Sequence, residues 1–259
     1  PEAKEILSLY GVPIVATRVA EDVEEAELVA NELGYPVALK ISSPDIVHKL
    51  DVGGVILDLE SAEELVRAAR SMLFRVEKLK PGTRVEGFIV QKMARRPGAH
   101  ELIVGASTDP VFGPVILFGQ GGAAVEVIKD RSVGLPPLNM TLARELIQRT
   151  RISKLLYGFR EQPGVDLDAI KLTLMQVSQL IIDIPEISEL DINPLLSDSD
   201  GVLVLDAHIV VNPASSSGHE RLAIRPYPKE LEECTRIRSG EEVLLRPIRP
   251  EDEPDHLEF

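Results

Sequence analysis

Apolar residues recur along this chain with two periods, and the switches between them mark out its elements. In residues 2–10, EAKEILSLY, the side chains of Ile6, Leu7 and Tyr10 share a helical face, and Gly11 supplies the stop. Pro13 opens a short strand, PIVATR. Residues 21–33 form an amphipathic helix closed by Gly34, and 36–41 and 53–59 read as strands. Ser61 with Glu64 is a capping-box signature for a helix over 62–78. Pro81-Gly82 turns the chain into a strand over 85–93. Strands dominate residues 100–118, and a Gly-rich loop, Gly119-Gln120-Gly121-Gly122, follows. Helices are expected over 141–149 and 166–183, then strands over 186–196 and 202–212.

This alternation is that of an α/β chain with two α/β subdomains, here expected over 1–93 and 94–212. From 213 the periodicity stops. PASSSGHERLAIRPYP is rich in Ser, Pro and Gly and reads as a linker, taken over 213–240. Residues 241–259 then begin a strand and a Pro- and acid-rich turn, as at the start of a further domain cut short. The chain opens at Pro1 without Met and is expected to be an excised piece of a longer protein.

Composition narrows the function classes. A length of 259 residues with 44% hydrophobic residues supports a core of useful size. The net charge of −14 argues against a general nucleic-acid or anionic-membrane surface while leaving room for a local phosphate pocket. The single Cys234 excludes an internal disulfide, and no apolar run approaches the ~18 residues that span a bilayer. A cytoplasmic protein is expected.

Candidate chemistry falls in a few places. Residues 35–54, YPVALKISSPDIVHKLDVGG, carry Lys40 in an apolar strand and His48 in the following loop. A buried lysine needs a partner, and a phosphate would serve, although a lysine at a strand end also snorkels to water. A neutral imidazole is a nucleophile near neutral pH, so His48 could accept a phosphoryl group, or be an ordinary loop histidine. If Asp198-Ser199-Asp200-Gly201 forms a hairpin loop, Ser197 pairs with Val202, Asn193 faces Asp206 and Asp191 faces His208. Asp191, Asn193, Asp206 and His208 then share one face. Carboxylate and amide oxygens suit Mg²⁺, and a solvated edge hairpin is the alternative. The glycines of 119–122 would let backbone N–H groups approach an anion, or simply make a tight turn. Glu126 is a further carboxylate candidate. Glu86 and Gln91-Lys92-Met93 could form a strand-to-loop hinge beside a nucleotide base, or an ordinary strand end.

The ordered set ALKI, SPDIVHKLDVGGV, VQKM, ELIVGASTDPVFGPVILFGQGG-x-x-VE and ELDINPL with a later LDA resembles the ATP-grasp domain of NDP-forming (ADP-forming) acyl-CoA synthetases, relatives of the succinyl-CoA synthetase β subunit. The resemblance covers about residues 2–212. It implies an ATP-grasp fold with the nucleotide cleft between two subdomains, and ATP/ADP and Mg²⁺ as cofactors. Its roles would be phosphate contact at Lys40, a hinge beside adenine at Gln91, Lys92 and Met93, metal binding at Asn193 and Asp206, and a phosphohistidine at His48; Glu86, Gly119, Gly121, Gly122 and Glu126 join the cofactor-binding candidates from their own positions in the chain. The complete enzymes convert acyl-CoA, phosphate and ADP reversibly into acid, CoA and ATP. A CoA-binding domain of the same parent protein is the implied partner, and a homo-oligomer is open. DRSVGLPPLN, LIQRTRISKLLYGFRE and the tail VLLRPIRPEDEP resemble bacterial protein lysine acetyltransferases that fuse such a region to a GNAT domain. The alternative function is therefore a catalytically inert module regulating an attached acetyltransferase. His208 stands where the resemblance implies arginine.

Overall fold

A computed structural model describes residues 1–46, 49–122, 129–158, 160, 163–214, 218–224, 229–249 and 252. Two antiparallel sheets organise them, each with its own core.

The smaller sheet contains β1 (Thr17–Ala20), β2 (Val37–Ser42), β3 (Val55–Leu59) and β4 (Gly87–Lys92), in the order β1-β4-β2-β3. Val37, Leu39 and Ile41 of β2 and Phe88 and Val90 of β4 bury one face against α2 (Val23–Leu33) and α3 (Ala62–Leu79). Strand alternation puts Ala38, Lys40, Ile89 and Gln91 on the other face. Both helices start on side-chain caps. Asp22 accepts from the Glu25 N–H, and Ser61 Oγ from the Glu64 N–H at 3.2 Å. Glu64 reaches back to the Glu60 N–H, one residue beyond the position a capping box predicts.

The larger sheet runs β10 (Ala207–Val211), β8 (Ile187–Asp198), β5 (His100–Asp109), β6 (Gly113–Gln120), β7 (Arg131–Gly134). A short β9 (Gly201–Val204) pairs with the far half of β8. Its core joins Leu102, Val104, Ile116 and Phe118 to α4 (Met140–Gln148), α5 (Ser153–Leu156) and α6 (Leu167–Asp183). Leu7 of α1 (Glu2–Leu9) and Val12 belong to this core. The expected first unit of 1–93 is thus crossed by its own opening helix, because the apolar face of α1 finds its partners in the larger unit. Ile14 bridges Val204 there before the chain enters β1.

The expected linker also departs from its reading. Leu222 is buried, and the Arg221 guanidinium donates to the carbonyls of Ile181 and Pro185. Helix C-termini leave carbonyls unsatisfied, so an arginine there ties the segment down. Residues 233–236 form β11 (Glu233–Arg236), paired with β12 (Glu242–Leu245) in a separate hairpin. Among the described residues no helix is long and apolar enough to cross a membrane.

Candidate functional site

The hairpin of β8 with β9 and β10 has the register expected from its turn. Ser197 pairs with Val202, Asp198 with Gly201, and His208 with Asp191. Gly201 takes φ +109°, a conformation glycine adopts without strain, which closes the turn at that residue. At Asn193-Pro194 the strand bulges. Leu102 and Val104 of β5 pair with Leu195 and Ile192, so two residues of β8 oppose Ile103 alone. The partner strand changes at the same point, from β9 to β10, leaving Leu205 and Asp206 between them. The Asn193 N–H still donates to the Asp206 carbonyl at 3.2 Å. The bulge and the strand switch together aim Asn193 and Asp206 out of the ladder.

Lys40 arrives from the other unit. It projects from the face of the small sheet opposite the helices, and its Nζ lies 3.3 Å from Asp206 Oδ2. The lysine side chain is 15% exposed and the aspartate 60%, so the pair sits at a mouth rather than in a core. Two further lysines approach. Lys49 stands at the start of a 3₁₀ turn, Lys49–Val52, and its amine has no hydrogen-bond partner among the described residues. Burial lowers its pKa, Asp206 opposing and Lys40 adding to the shift. Lys4 of α1 is only 5% exposed. Its Nζ donates to Gln91 Oε1 at 2.8 Å and to Thr17 Oγ1 at 3.0 Å. Burial, with Lys40 and Lys49 adding and Asp206 opposing, brings this amine down to about 8. Asp191 reaches solvent, yet partial desolvation raises its carboxyl, with Asp206 adding and His208 opposing. Lys40 and Lys49 beside the Asp206 carboxylate form a charge arrangement suited to a polyanion, while the Lys4 amine is taken up by Gln91 and Thr17.

The other sequence candidates fall in different places. Gln91, Lys92 and Met93 close β4 next to β1, and the Met93 N–H donates to the Pro36 carbonyl. Lys92 points to the far side, where its amine donates to the Gly34 and Tyr35 carbonyls. Glu86 is not brought to this group. It precedes β4 at the opposite end, pairs with Arg84 and lies about 16 Å of strand from Gln91. Gly119 is not in a loop but inside β6, where a Cβ would meet the Asp130 carbonyl at 2.1 Å. The Gly121 N–H donates to the Glu101 carbonyl, and the Gly122 N–H to Asn193 Oδ1, both at 2.9 Å. These N–H groups therefore fix the loop to β5 and to the metal candidate. His48 and Glu126 lie outside the described residues.

The donor set of Asn193 and Asp206, one amide and one carboxylate oxygen, fits Mg²⁺, which keeps waters and phosphate oxygens in its shell. Among the described residues no group of three or more His, Cys, Asp or Glu side chains could hold a metal unaided. The sequence reading passed over Lys4 and Lys49. For Lys4 a signal existed: it lies three residues before Leu7, on the apolar face of its helix.

Comparison with known proteins adds the family context. The model of the ATP-grasp domain matches residues 1–211. The β subunit of ADP-forming acetate–CoA ligase I from Pyrococcus furiosus is 39% identical over 211 residues, covering 82% of this chain and 90% of the relative. The ADP-forming acetate–CoA ligase I of Archaeoglobus fulgidus is 41% identical over 210 residues, 81% of this chain and 30% of that longer relative. Among solved structures, the dinucleotide-forming acetyl-coenzyme A synthetase 1 of Ca. Korarchaeum cryptofilum, in complex with coenzyme A, Ca-AMPCP and HgCl⁺, aligns with a TM-score of 0.77. It is 42% identical, over 82% of this chain and 91% of that one. A second complex of it contains coenzyme A, acetyl-coenzyme A and a phosphorylated phosphohistidine segment, and aligns with a TM-score of 0.75 at 40% identity over the same shares.

Proposed function

The chain belongs to the ATP-grasp domain family, in the branch of the ADP-forming acyl-CoA ligase β subunits, and from that premise we propose that its cleft binds ATP or ADP with Mg²⁺ and exchanges a phosphoryl group with His48. The observation that carries this reading is the meeting of Lys40 from one unit with Asp206 from the other, 3.3 Å apart. Lys40 and Lys49 would neutralise phosphate oxygens, and Asn193 and Asp206 would hold the metal. Mg²⁺ bound there would supply charge neutralisation on the phosphates. In the ATP-consuming direction the imidazole of His48 would take the terminal phosphoryl group as the bond to the bridging oxygen breaks, and ADP would leave. In the ATP-forming direction ADP would take it from His48. Such transfer depends mostly on positioning and on charge, which is what this chain's lysines provide. Gln91 and Met93, with the Lys92 backbone between them, would border the base. Glu86, at the remote end of β4, has no part in this arrangement.

Coenzyme A and a separate CoA-binding region in the parent protein complete the proposed reaction, by analogy with the synthetase complexes. Titration calorimetry with Mg-ADP and Mg-ATP tests binding: saturation below millimolar nucleotide is expected, and none at millimolar sinks the proposal. Terminally labelled ATP should leave label on the wild type and none on His48→Ala.

A regulatory reading rests on the resemblance of the tail VLLRPIRPEDEP, which begins in the β11–β12 hairpin. In this reading an attached GNAT-type acetyltransferase would be controlled by nucleotide occupancy. Nucleotide binding without any label on His48 would select it.

A further inference from the structure

We propose that Lys4 is a positioning residue of the nucleotide site, a cation supplied by the larger unit that fixes the Gln91 carboxamide on the cleft face of the small sheet. This rests on the nucleotide-binding reading above and extends it to a residue outside the phosphate and metal contacts.

The placement is unusual for a structural lysine. The helix carrying Lys4 is anchored in the larger unit through Leu7, yet both acceptors of its amine belong to the smaller one. Gln91 and Thr17 are registered partners across β4 and β1, so one ammonium group holds the same rung of the sheet from both strands. Thr17 is itself oriented, because its hydroxyl donates to the Val15 carbonyl. Gln91 is 6% exposed and has its Oε1 engaged by the cation. Its Nε2 group has no hydrogen-bond partner among the described residues and is not fully sealed from solvent. An amide whose oxygen is pinned in this way presents its two N–H groups to the opposite side.

The same face of the sheet carries Lys40. Lys40 pairs with Ile89, which makes Gln91 its diagonal neighbour on the same face, about 7–8 Å away. A ligand with phosphates at Lys40 therefore brings its nucleoside part within reach of the Gln91 amide. The lysine stays in place despite burial and despite the repulsion of Lys40 and Lys49. Its two bonds to small-sheet side chains, and the free donor they leave on Gln91, account for that arrangement.

The test compares Mg-ATP with Mg-tripolyphosphate, which has the phosphates and no nucleoside. In the whole chain, Lys4→Met should weaken Mg-ATP binding about tenfold and leave Mg-tripolyphosphate within about twofold. Lys4→Arg, which keeps charge and donors, should recover most of the loss. The double variant Lys4→Met/Gln91→Met should bind Mg-ATP no more weakly than Lys4→Met alone. Gln91→Met gives the same selective loss and replaces Lys4→Met where circular dichroism shows that variant unfolded. Equal weakening of both ligands, or wild-type affinity for Mg-ATP, overturns the role of Lys4. A wild type that binds tripolyphosphate but not ATP overturns it as well. A wild type that binds neither ligand removes the nucleotide site itself, and this proposal with it.

Discussion

The Lys4 amine titrates near 8 in the fold and near 10.5 in an unfolded chain, and stability should report the gap. Below pH 8 both states hold the proton, and the folded state carries the full cost of a buried charge, about 3 kcal/mol. As pH rises through 8 the folded state releases the proton while the unfolded chain keeps it until about 10.5. The unfolded state then binds more protons, so stability must rise with pH across that window. Between pH 7 and 9.5 this one group contributes about 2 kcal/mol of added stability. Other titrating groups contribute too, so the measurement is a difference. Urea unfolding of wild type and Lys4→Met at pH 7, 8, 9 and 9.5 gives it directly. Far-UV circular dichroism is the suitable probe, because the chain contains no tryptophan. Whatever the variant's offset at pH 7, the wild type should gain on it by about 2 kcal/mol by pH 9.5. A wild-type-minus-variant difference that stays flat across this range would refute the burial and the neighbouring charges assigned to Lys4.

Three further outcomes follow from the geometry. Asp206→Asn keeps the acceptor for the Ala207 N–H and removes the charge facing Lys40, so Mg-ADP affinity should fall at least about tenfold with the urea midpoint nearly unchanged. Asp130→Ala strands the buried Ile152 N–H and the part-buried Arg151 N–H, each now bonded at 2.7 Å, and should cost about 1–3 kcal/mol in urea unfolding. Gly121→Ala puts a Cβ 2.4 Å from the Leu102 carbonyl; the loop must leave β5, lowering stability by about 1–3 kcal/mol and weakening Mg-ADP binding through the lost Gly122–Asn193 bond.

Much of the fold was legible because its signals are local. Asp22 and Ser61 announce their helices, and the Asp-Ser-Asp-Gly turn fixes a register that carries Asn193 to Asp206. What was not legible depends on partners distant in sequence. The helical face of residues 2–10 does not say which sheet will bury it, and Leu7 of α1 joins the core of the larger sheet. Glu86 and Gln91 looked close as letters because strand rise is invisible in a string of symbols. The glycines of 119–122 suggested an open cradle, and their close approach to Asp130, Leu102 and Glu101 reveals backbone packing instead. Arg221 gave no local sign of its task, since the carbonyls it satisfies lie in the last turn of a helix and just past its end, some forty residues earlier.

The path of the chain between the two sheets has a mechanical corollary. The polypeptide leaves the larger unit after Ile14, builds the smaller sheet and returns after Lys92, and the two crossings touch: the Lys92 N–H donates to the Ala16 carbonyl at 2.9 Å. A body tethered at two adjoining points keeps one easy motion, a swing about the line through them, while sliding and twisting strain the tethers. Lys4 grips beside that line, on Thr17 and Gln91, where the lever arm is shortest. Lys40 lies farther out along the sheet and so sweeps a longer arc towards Asp206, which turns a small rotation at the pivot into a large change in spacing at the phosphates.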